Sequence, residues 1–472
     1  MFDNPFIIIA MFFWFSYVPI AVMSLYRVIR NRNLFVEKHE VAEQQVKHRV
    51  HSDAAIIFQI TTRSATKTHV VRRGIQSIID SAKKIEYRNY HISIVTDDPD
   101  DVRTLKGVNC EVVVVNKSFK TNAIRKGRAL QYAVEHRRRA GMNTQKYWIF
   151  HMDDESYVTG QTILSLLKSV ENGKQVASEG PIFYPLKFEA ANRLTAIAES
   201  IRPFACYDCV SQMTNPPPLH MHGSNLLIRS DIEDTIEWKF GPTLAEDQMF
   251  GYKVYERYGP GSMGWHGGML LEQPPLNIKD HFFQRRRWVL GTLQNLQNFP
   301  RWHRYKLMYK SATYFLGFAS AAASTAIMLF TNIPLLLNNL PSFLNHIPNL
   351  LNYGNIGYDF MSLPDKLPNL FFGSIFDAAT KGSMLELSAG TILLFTSLVW
   401  IGSYQLGLFL NLKYSKIEWR KRLMFHLQTL LLCPVIGLVE TFPAFWAMIE
   451  YNMKKKDPAQ KTKVYDFYVV NK

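Results

Sequence analysis

A chain of 472 residues is too long for one ordinary soluble domain. Its 47% apolar and 20% charged residues exclude wholesale disorder, and four cysteines exclude a disulfide scaffold. The net charge of +15 and mean hydropathy of −0.09 average two different materials. Apolar residues pool at the N-terminus and in the last third, and charges pool between them, so the charge must be located before it is read as a nucleic-acid signature.

From Phe6 to Leu25 the chain carries no charge, and a helix of that length spans about 30 Å, the hydrocarbon thickness of a bilayer. A cleaved signal peptide would want a basic start; here the start carries Asp3, and the run ends at Arg27, Arg30 and Arg32. The expectation is an uncleaved anchor over 1–32 with its C-terminal end in the cytoplasm.

Residues 50–300 alternate between short apolar runs and longer charged segments. The runs 54–60, 91–96, 111–115 and 147–151 predict buried strands of a mostly parallel sheet, and 70–83 and 123–138 predict helices between them. Ligands on such sheets bind beyond the carboxyl ends of the strands. Two of those ends are acidic: Asp97-Asp98 after the second run, and Asp153-Asp154-Glu155 after the fourth. One acidic end is readily a turn or a cap. Two in a basic protein favour a divalent cation, Mg²⁺ or Mn²⁺, of the kind that bridges carboxylates to a diphosphate. In extended chain, Asp153 and Glu155 at i and i+2 would point the same way.

Further on, Asp247 in Leu244-Ala245-Glu246-Asp247-Gln248 is a candidate general base, or else part of a helix N-terminus. Gln284-Arg285-Arg286-Arg287-Trp288 suits phosphate or a sugar face, and equally a membrane-surface helix. Cys206-x-x-Cys209 lacks a second pair, so buried thiols are preferred to a zinc site; His220, His222 and His266 read as structural histidines.

Tyr314–Leu337 and Leu387–Leu410 are further apolar runs, with 338–384 placed outside by the positive-inside rule. A fourth stretch, Leu423–Ile449, contains Pro434, Glu440 and Pro443 between two basic clusters. A plain span would separate those clusters; a re-entrant or interfacial element keeps both in the cytoplasm.

Asp97, Asp153-x-Glu155, Glu246-Asp247 and Gln284-x-x-Arg287-Trp288 together resemble the D, DxD, (T/G)ED, QxxRW series of family-2 inverting glycosyltransferases, which include the cellulose and hyaluronan synthases. A closer resemblance is to the Egghead-like β-1,4-mannosyltransferases, carried by residues 94–97, 125–132, 151–156, 222–225, 245–250 and 284–288. The stretch 466–472 is also similar to the FxVTxK gating loop of cellulose synthase, with Val470 in place of Thr. The chain departs from the synthases in Glu155 for Asp and in lacking their Pro-aromatic-Asn-Glu turn after the first strand.

The resemblance implies a cytoplasmic GT-A (Rossmann-like) α/β domain with an α-helical transmembrane region and interfacial helices. The implied divisions are 50–283, 284–310 (QxxRW and interfacial helices), 311–411 (two spans), 412–453 (re-entrant or interfacial) and 454–472 (tail with gating loop). It implies transfer of a sugar, mannose favoured, from GDP-mannose or a UDP-sugar to a glycolipid or other glycan acceptor. The alternative is a processive synthase using a UDP-sugar. Asp247 would be the base, and Asp153 and Glu155 would hold Mg²⁺ or Mn²⁺. Thr62, Arg63, Asp97, Lys126, Asp153, Arg287 and Lys472 would meet the nucleotide. Glu246, Gln284, Trp288 and Ser224 would meet the acceptor. A lipid bilayer is an expected partner; a nucleic acid is not, and the expected spans are too free of charge for a transporter.

Overall fold

The computed structural model describes residues 5–36, 54–63, 68–185, 192–327, 384–415 and 417–456. In chain order its main elements are α1 (Pro5–Asn31), β1 (Ala55–Thr61), α2 (Thr68–Lys84), β2 (Tyr90–Thr96), β3 (Glu111–Val114), α3 (Arg125–Arg139) and β4 (Tyr147–Asp153). Then come α4 (Gly160–Asn172), β5 (Ala177–Glu179), β6 (Ile182–Phe183), α5 (Arg193–Ser200), α6 (Cys206–Thr214), β7 (Leu226–Arg229) and α7 (Ser230–Ile236). The last are α8 (Glu246–Tyr258), β8 (Met263–Trp265), β9 (Leu270–Leu271), α9 (Ile278–Asn295), α10 (Arg301–Ile327), α11 (Met384–Tyr414) and α12 (Trp419–Lys456).

The main sheet has the order β3-β2-β1-β4-β7-β5-β8. The first four strands are parallel, as their apolar runs predict, and β7 runs antiparallel between β4 and β5. The result is a mixed, mostly parallel sheet, with β6 and β9 forming a small second one. Alternation along β1 sorts its side chains between two covers. Ile56, Phe58 and Ile60 face Val71, Ile75 and Ile78 of α2 and Ile163 and Leu166 of α4. Ile57 lies in the opposite layer with Leu130 and Val134 of α3 and Phe250 and Val254 of α8. Burial on both faces explains why these strands read as continuous apolar runs.

The register positions the site. Thr61 pairs with Val95 on one side and Asp153 on the other. The segments that follow β1, β2 and β4 therefore leave the sheet at one edge.

Beneath the sheet domain, α1, α10, α11 and α12 pack together. Phe13 of α1 meets Phe315 of α10, and Phe318 of α10 stacks on Phe445 of α12 with ring centroids 4.7 Å apart. The expected apolar runs 6–25 and 387–410 lie within α1 and α11; the second run is helical to Ile327, and its remainder lies outside the described residues. Among the described residues one helix, Trp419–Met453, is long and apolar enough to cross a membrane by length and composition.

One expectation about α12 is corrected. A re-entrant element must reverse direction, yet Leu423–Ile449 is part of one continuous helix with Pro434 and Pro443 inside it. The interfacial form of the expectation needs no reversal.

Candidate active site

The carboxyl edge of β1, β2 and β4 opens into a cavity of about 640 Å³. Thr62, Arg63, Asp97, Lys126, Asp153, Glu155, Ser224, Glu246, Asp247, Gln284, Arg287 and Trp288 all line it. Lys472 and the gating-loop stretch lie outside the described residues.

The β4 end does not continue in extended form. The strand stops at Asp153, and Asp154 and Glu155 lie in a turn, so the i, i+2 geometry expected for Asp153 and Glu155 does not apply. The turn distributes the three acids. Asp153 Oδ1 accepts from Lys126 Nζ, and Asp154 Oδ2 accepts from Thr62 Oγ1 at 3.0 Å. Glu155 is buried, with its charge felt by Arg73 of α2. At the end of β2, Asp97 Oδ1 accepts from Arg128 Nη1 at 3.0 Å.

Lys126 stands in the first turn of α3 and also donates to the Gly223 carbonyl at 3.0 Å. Burial works against its charge, but Asp153, Glu246 and Asp247 outweigh that and push its pKa up. Two non-glycine residues at the cavity edge are left-handed: Arg125, just before Lys126, at φ 56°, and Asn225, just after Ser224, at φ 56°. Such conformations persist only where surroundings over-determine them, and they cluster at functional sites.

Glu246 and Asp247 open α8. Asp247 Oδ1 accepts the Gln248 amide at 2.8 Å, so both readings of this residue, helix N-terminus and site carboxylate, hold together. Burial raises the proton affinity of both acids. Glu246 is pushed up to about 7 by burial and then by Asp247, against the pull of Lys126. Asp247 is raised by burial, with Lys126 opposing. Helix α9 is pressed onto this corner: a Cβ at Gly291 would lie 2.6 Å from the Ala245 nitrogen. Asn295 Nδ2 donates to the Ala245 carbonyl at 2.9 Å. The two motifs, distant in sequence, are thus held as one unit.

Only part of the Gln284–Trp288 reading survives. The expectation that three arginines meet phosphate is corrected. Arg285 pairs with Glu199 at 2.9 Å and Glu440 at 2.9 Å, and Arg286 pairs with Glu450 at 2.6 Å. Both are buried, so they join α9 to α5 and α12; among the three, Arg287 lines the cavity. The Trp288 ring, expected to be free for a pyranose, has the Arg202 and Arg285 guanidiniums each 4.5 Å from its centroid.

Several lining residues carried no motif. Glu272 accepts from Ser224 Oγ at 2.5 Å and from the Tyr184 hydroxyl at 3.1 Å. Arg202 donates to that hydroxyl, and Lys310, on α10, reaches the cavity from the helix bundle. For Glu272 the one available signal was a charge ending an apolar run, whereas Lys310 is hidden in the basic stretch 301–310.

Residues 148–353 match the family model described as Glycosyl transferase family group 2. With the relatives below, that match supports a glycosyltransferase. The resemblance to Egghead-like β-1,4-mannosyltransferases holds. The chain is 24% identical over 287 residues to beta-1,4-mannosyltransferase egh of Drosophila melanogaster, covering 59% of this chain and 60% of the relative. It is 26% identical over 243 residues to beta-1,4-mannosyltransferase bre-3 of Caenorhabditis elegans, covering 50% and 52%. The match thus spans between about half and three fifths of these curated relatives. Among solved structures it is similar to a mannosyltransferase from Pyrobaculum calidifontis in complex with GDP-Man and Mn²⁺. The TM-score is 0.40 at 11% identity over 84% of this chain and 98% of the other, too distant to bear on ligands.

Proposed function

We propose that the chain is an inverting glycosyltransferase that moves a hexose, mannose favoured, from a nucleotide diphosphate sugar to an acceptor hydroxyl on a membrane glycolipid. The observation that carries this reading is the convergence of Asp97, Asp153–Glu155, Glu246–Asp247 and Gln284/Arg287/Trp288 on one cavity, from elements spread over nearly 200 residues. Mannose is favoured by the names of the curated relatives.

The acidic turn fits a hard divalent cation, Mg²⁺ or Mn²⁺. Its donors are carboxylate oxygens, and such ions need only one or two when substrate phosphates supply others. Asp153 and Glu155 would hold it, and when bound it would offset charge on the departing diphosphate. Lys126 and Arg287 add fixed positive charge to the cavity lining, near Glu246 and Asp247. Asp97, with Thr62 and Arg63, takes the base and ribose end. Gln284, Glu246, Ser224 and the uncovered part of Trp288 take the acceptor sugar.

Asp247 receives the acceptor proton. Its raised proton affinity makes it a better base than a surface carboxylate, and Lys126 stabilises its charged form before the proton arrives. The acceptor oxygen then attacks the anomeric carbon as the bond to the diphosphate breaks, and configuration inverts.

Membrane residence is part of the proposal, with α1, α10 and α11 as spans and the sheet domain on the cytoplasmic side. In support, α12 touches that domain near both ends. Arg193 of α5 donates to Gln428 at 2.9 Å, and Arg286 of α9 pairs with Glu450. Trp419, Leu423, Leu427 and Leu431 are exposed along its first half. Those features suit an interfacial helix.

The test is Asp247→Asn, assayed with a panel of sugar nucleotides. Loss of the base predicts a fall in kcat of about 10²–10⁴-fold with nucleotide binding retained. Near-normal turnover would remove Asp247 from the mechanism.

A further inference from the structure

We propose that Cys209, His220 and His222 form a binding site for a thiophilic divalent cation of the zinc class, distinct from the acidic turn. One ligand atom from each residue lies within 4.8 Å of the other two, and among the described residues no other three His, Cys, Asp or Glu side chains gather so closely. Cys209 Sγ is 3.3 Å from His222 Nε2. Ligand atoms about 3.5 Å apart are what a tetrahedral zinc requires, given bonds of about 2.0–2.3 Å. Cys209 and His222 already stand at about that spacing.

The His222 ring is weakly held as it stands. His222 is 8% exposed, and its Nδ1 has no hydrogen-bond partner. A core histidine is normally satisfied at both nitrogens. Here one nitrogen faces a thiol, a weak partner, and the other faces none.

The supports are built independently. Cys209 sits on α6, which is tied to α1 by Asn31 Nδ2 donating to the Tyr207 carbonyl at 3.1 Å and by Arg27 pairing with Asp208 at 3.1 Å. The His222 amide donates to the buried Glu179 Oε1 at 2.5 Å. Cys209 and His222 are therefore positioned without an ion, as a preformed site needs.

Donor type sets the metal. One sulfur and two imidazole nitrogens suit zinc and its neighbours and disfavour Mg²⁺ or Mn²⁺, which take oxygens. On binding, the Cys209 thiol loses its proton to solvent and the S–metal bond forms, with no change of oxidation state. Cys206, one helical turn before Cys209 on α6, is a further donor at hand.

The ion would fasten the 220–224 segment to α6. That segment crosses the cavity, where the Gly223 carbonyl accepts from Lys126 and Ser224 donates to Glu272. The ion is thus structural, bracing one wall of the cavity. None of this depends on the glycosyltransferase reading.

The experiment is metal analysis of the full chain, purified in detergent without chelators, with cobalt substitution as a second readout. One zinc per chain is expected, falling by more than about tenfold in Cys209→Ser and His220→Ala. Cys110→Ser, far from the cluster, and Asp153→Asn, in the acidic turn, should keep it. The cobalt form should show a thiolate-to-metal charge-transfer band that Cys209→Ser lacks. A native chain that retains no zinc and gives no such band overturns the proposal. So does zinc content unchanged in Cys209→Ser, or a Cys206–Cys209 disulfide found in the native chain by mass spectrometry. Because the native chain alone answers two of these, a variant that fails to fold does not shield the proposal.

Discussion

Gly223→Ala separates catalysis from folding. A Cβ at this position would lie 2.9 Å from Asp247 Oδ2 and 3.0 Å from Lys126 Nζ. Ordinary contact begins near 3.4 Å, so the two charged groups must retreat by about half an ångström. Both are ends of side chains that can rotate, and the Gly223 backbone is not left-handed, so alanine fits the chain itself. Stability should change by less than about 1 kcal/mol. Catalysis should suffer more, because a displacement of about 1 Å costs on the order of 10²-fold. Half that displacement predicts a fall in kcat of about tenfold, or about 1.4 kcal/mol. The assay is release of nucleoside diphosphate in the presence of acceptor membranes, alongside a denaturant melt of the detergent-solubilised protein. Gly291→Ala is the contrast. Its Cβ would meet the Ala245 backbone nitrogen at 2.6 Å, which cannot rotate away, so that variant should lose stability first. A Gly223→Ala protein with undiminished kcat would show that Asp247 and Lys126 need not stand where they do.

Three further outcomes follow from the charges. Lys126→Met removes the cation beside Asp153, Glu246 and Asp247; loss of a charge-assisted bond of about 1.5–3 kcal/mol should raise the donor KM by about 10–150-fold, and an unchanged KM would remove Lys126 from the diphosphate site. Arg285→Met leaves the buried Glu199 and Glu440 without their main partner and should cost about 3–5 kcal/mol in a denaturant melt; a cost below about 1 kcal/mol would show that the pairs contribute little. Glu246, held at about 7 against an ordinary value near 4.3, stays protonated in the fold where the unfolded chain is charged. Its contribution to stability is complete at low pH and is lost as pH rises through about 7, so the native melt should weaken across that window and the slope should flatten in Glu246→Gln. An identical slope in the variant would assign the titration elsewhere.

The α/β core was legible because its strands are buried on both faces. Runs such as Ala55-Ile-Ile-Phe-Gln-Ile admit little else once charged helical stretches flank them. The site was legible where residues of one chemical type fall just past a strand, as at Asp97 and Asp153, since topology alone brings such positions to one edge. It was not legible where a side chain acts through a partner distant in sequence. Three consecutive arginines look alike in a sequence, yet helical spacing turns each to a different neighbour: Arg285 to Glu199, Arg286 to Glu450, and Arg287 to the cavity. The antiparallel β7 was missed for a related reason. Leu226–Arg229 is too short to show a period, and its pairing with β4 and β5 is decided by tertiary packing. The gathering of Cys209, His220 and His222 was not legible, because a single CxxC has no spacing that singles it out until α6 and the 220–222 stretch meet.

The role of α12 turns on where its charges lie. In a helix that leaves the sheet domain to cross a bilayer, an acidic residue deep in the apolar stretch would need a partner within the membrane. Glu440 has one, but it belongs to α9: Arg285, at 2.9 Å, with His281 Nε2 at 3.1 Å from the same carboxylate. Ten residues on, Glu450 meets Arg286 of the same helix. Further along, Val289, Leu290 and Leu293 of α9 pack with Ala444 and Ala447 of α12, so the two helices run side by side for about 15 Å, given the rise per residue. The buried residues of α12, Ile436, Ala444 and Ala447, fall on the side of its glutamates, while Leu423 and Leu427 are exposed on the other. Such a division matches a helix that covers the base of the sheet domain and turns an apolar face away from it. It also makes α9 the shared element, since the helix that presents Gln284, Arg287 and Trp288 to the cavity is the one α12 holds from below. Whatever shifts α12 must move Gln284, Arg287 and Trp288 with it, unless Arg285 and Arg286 first give up their partners.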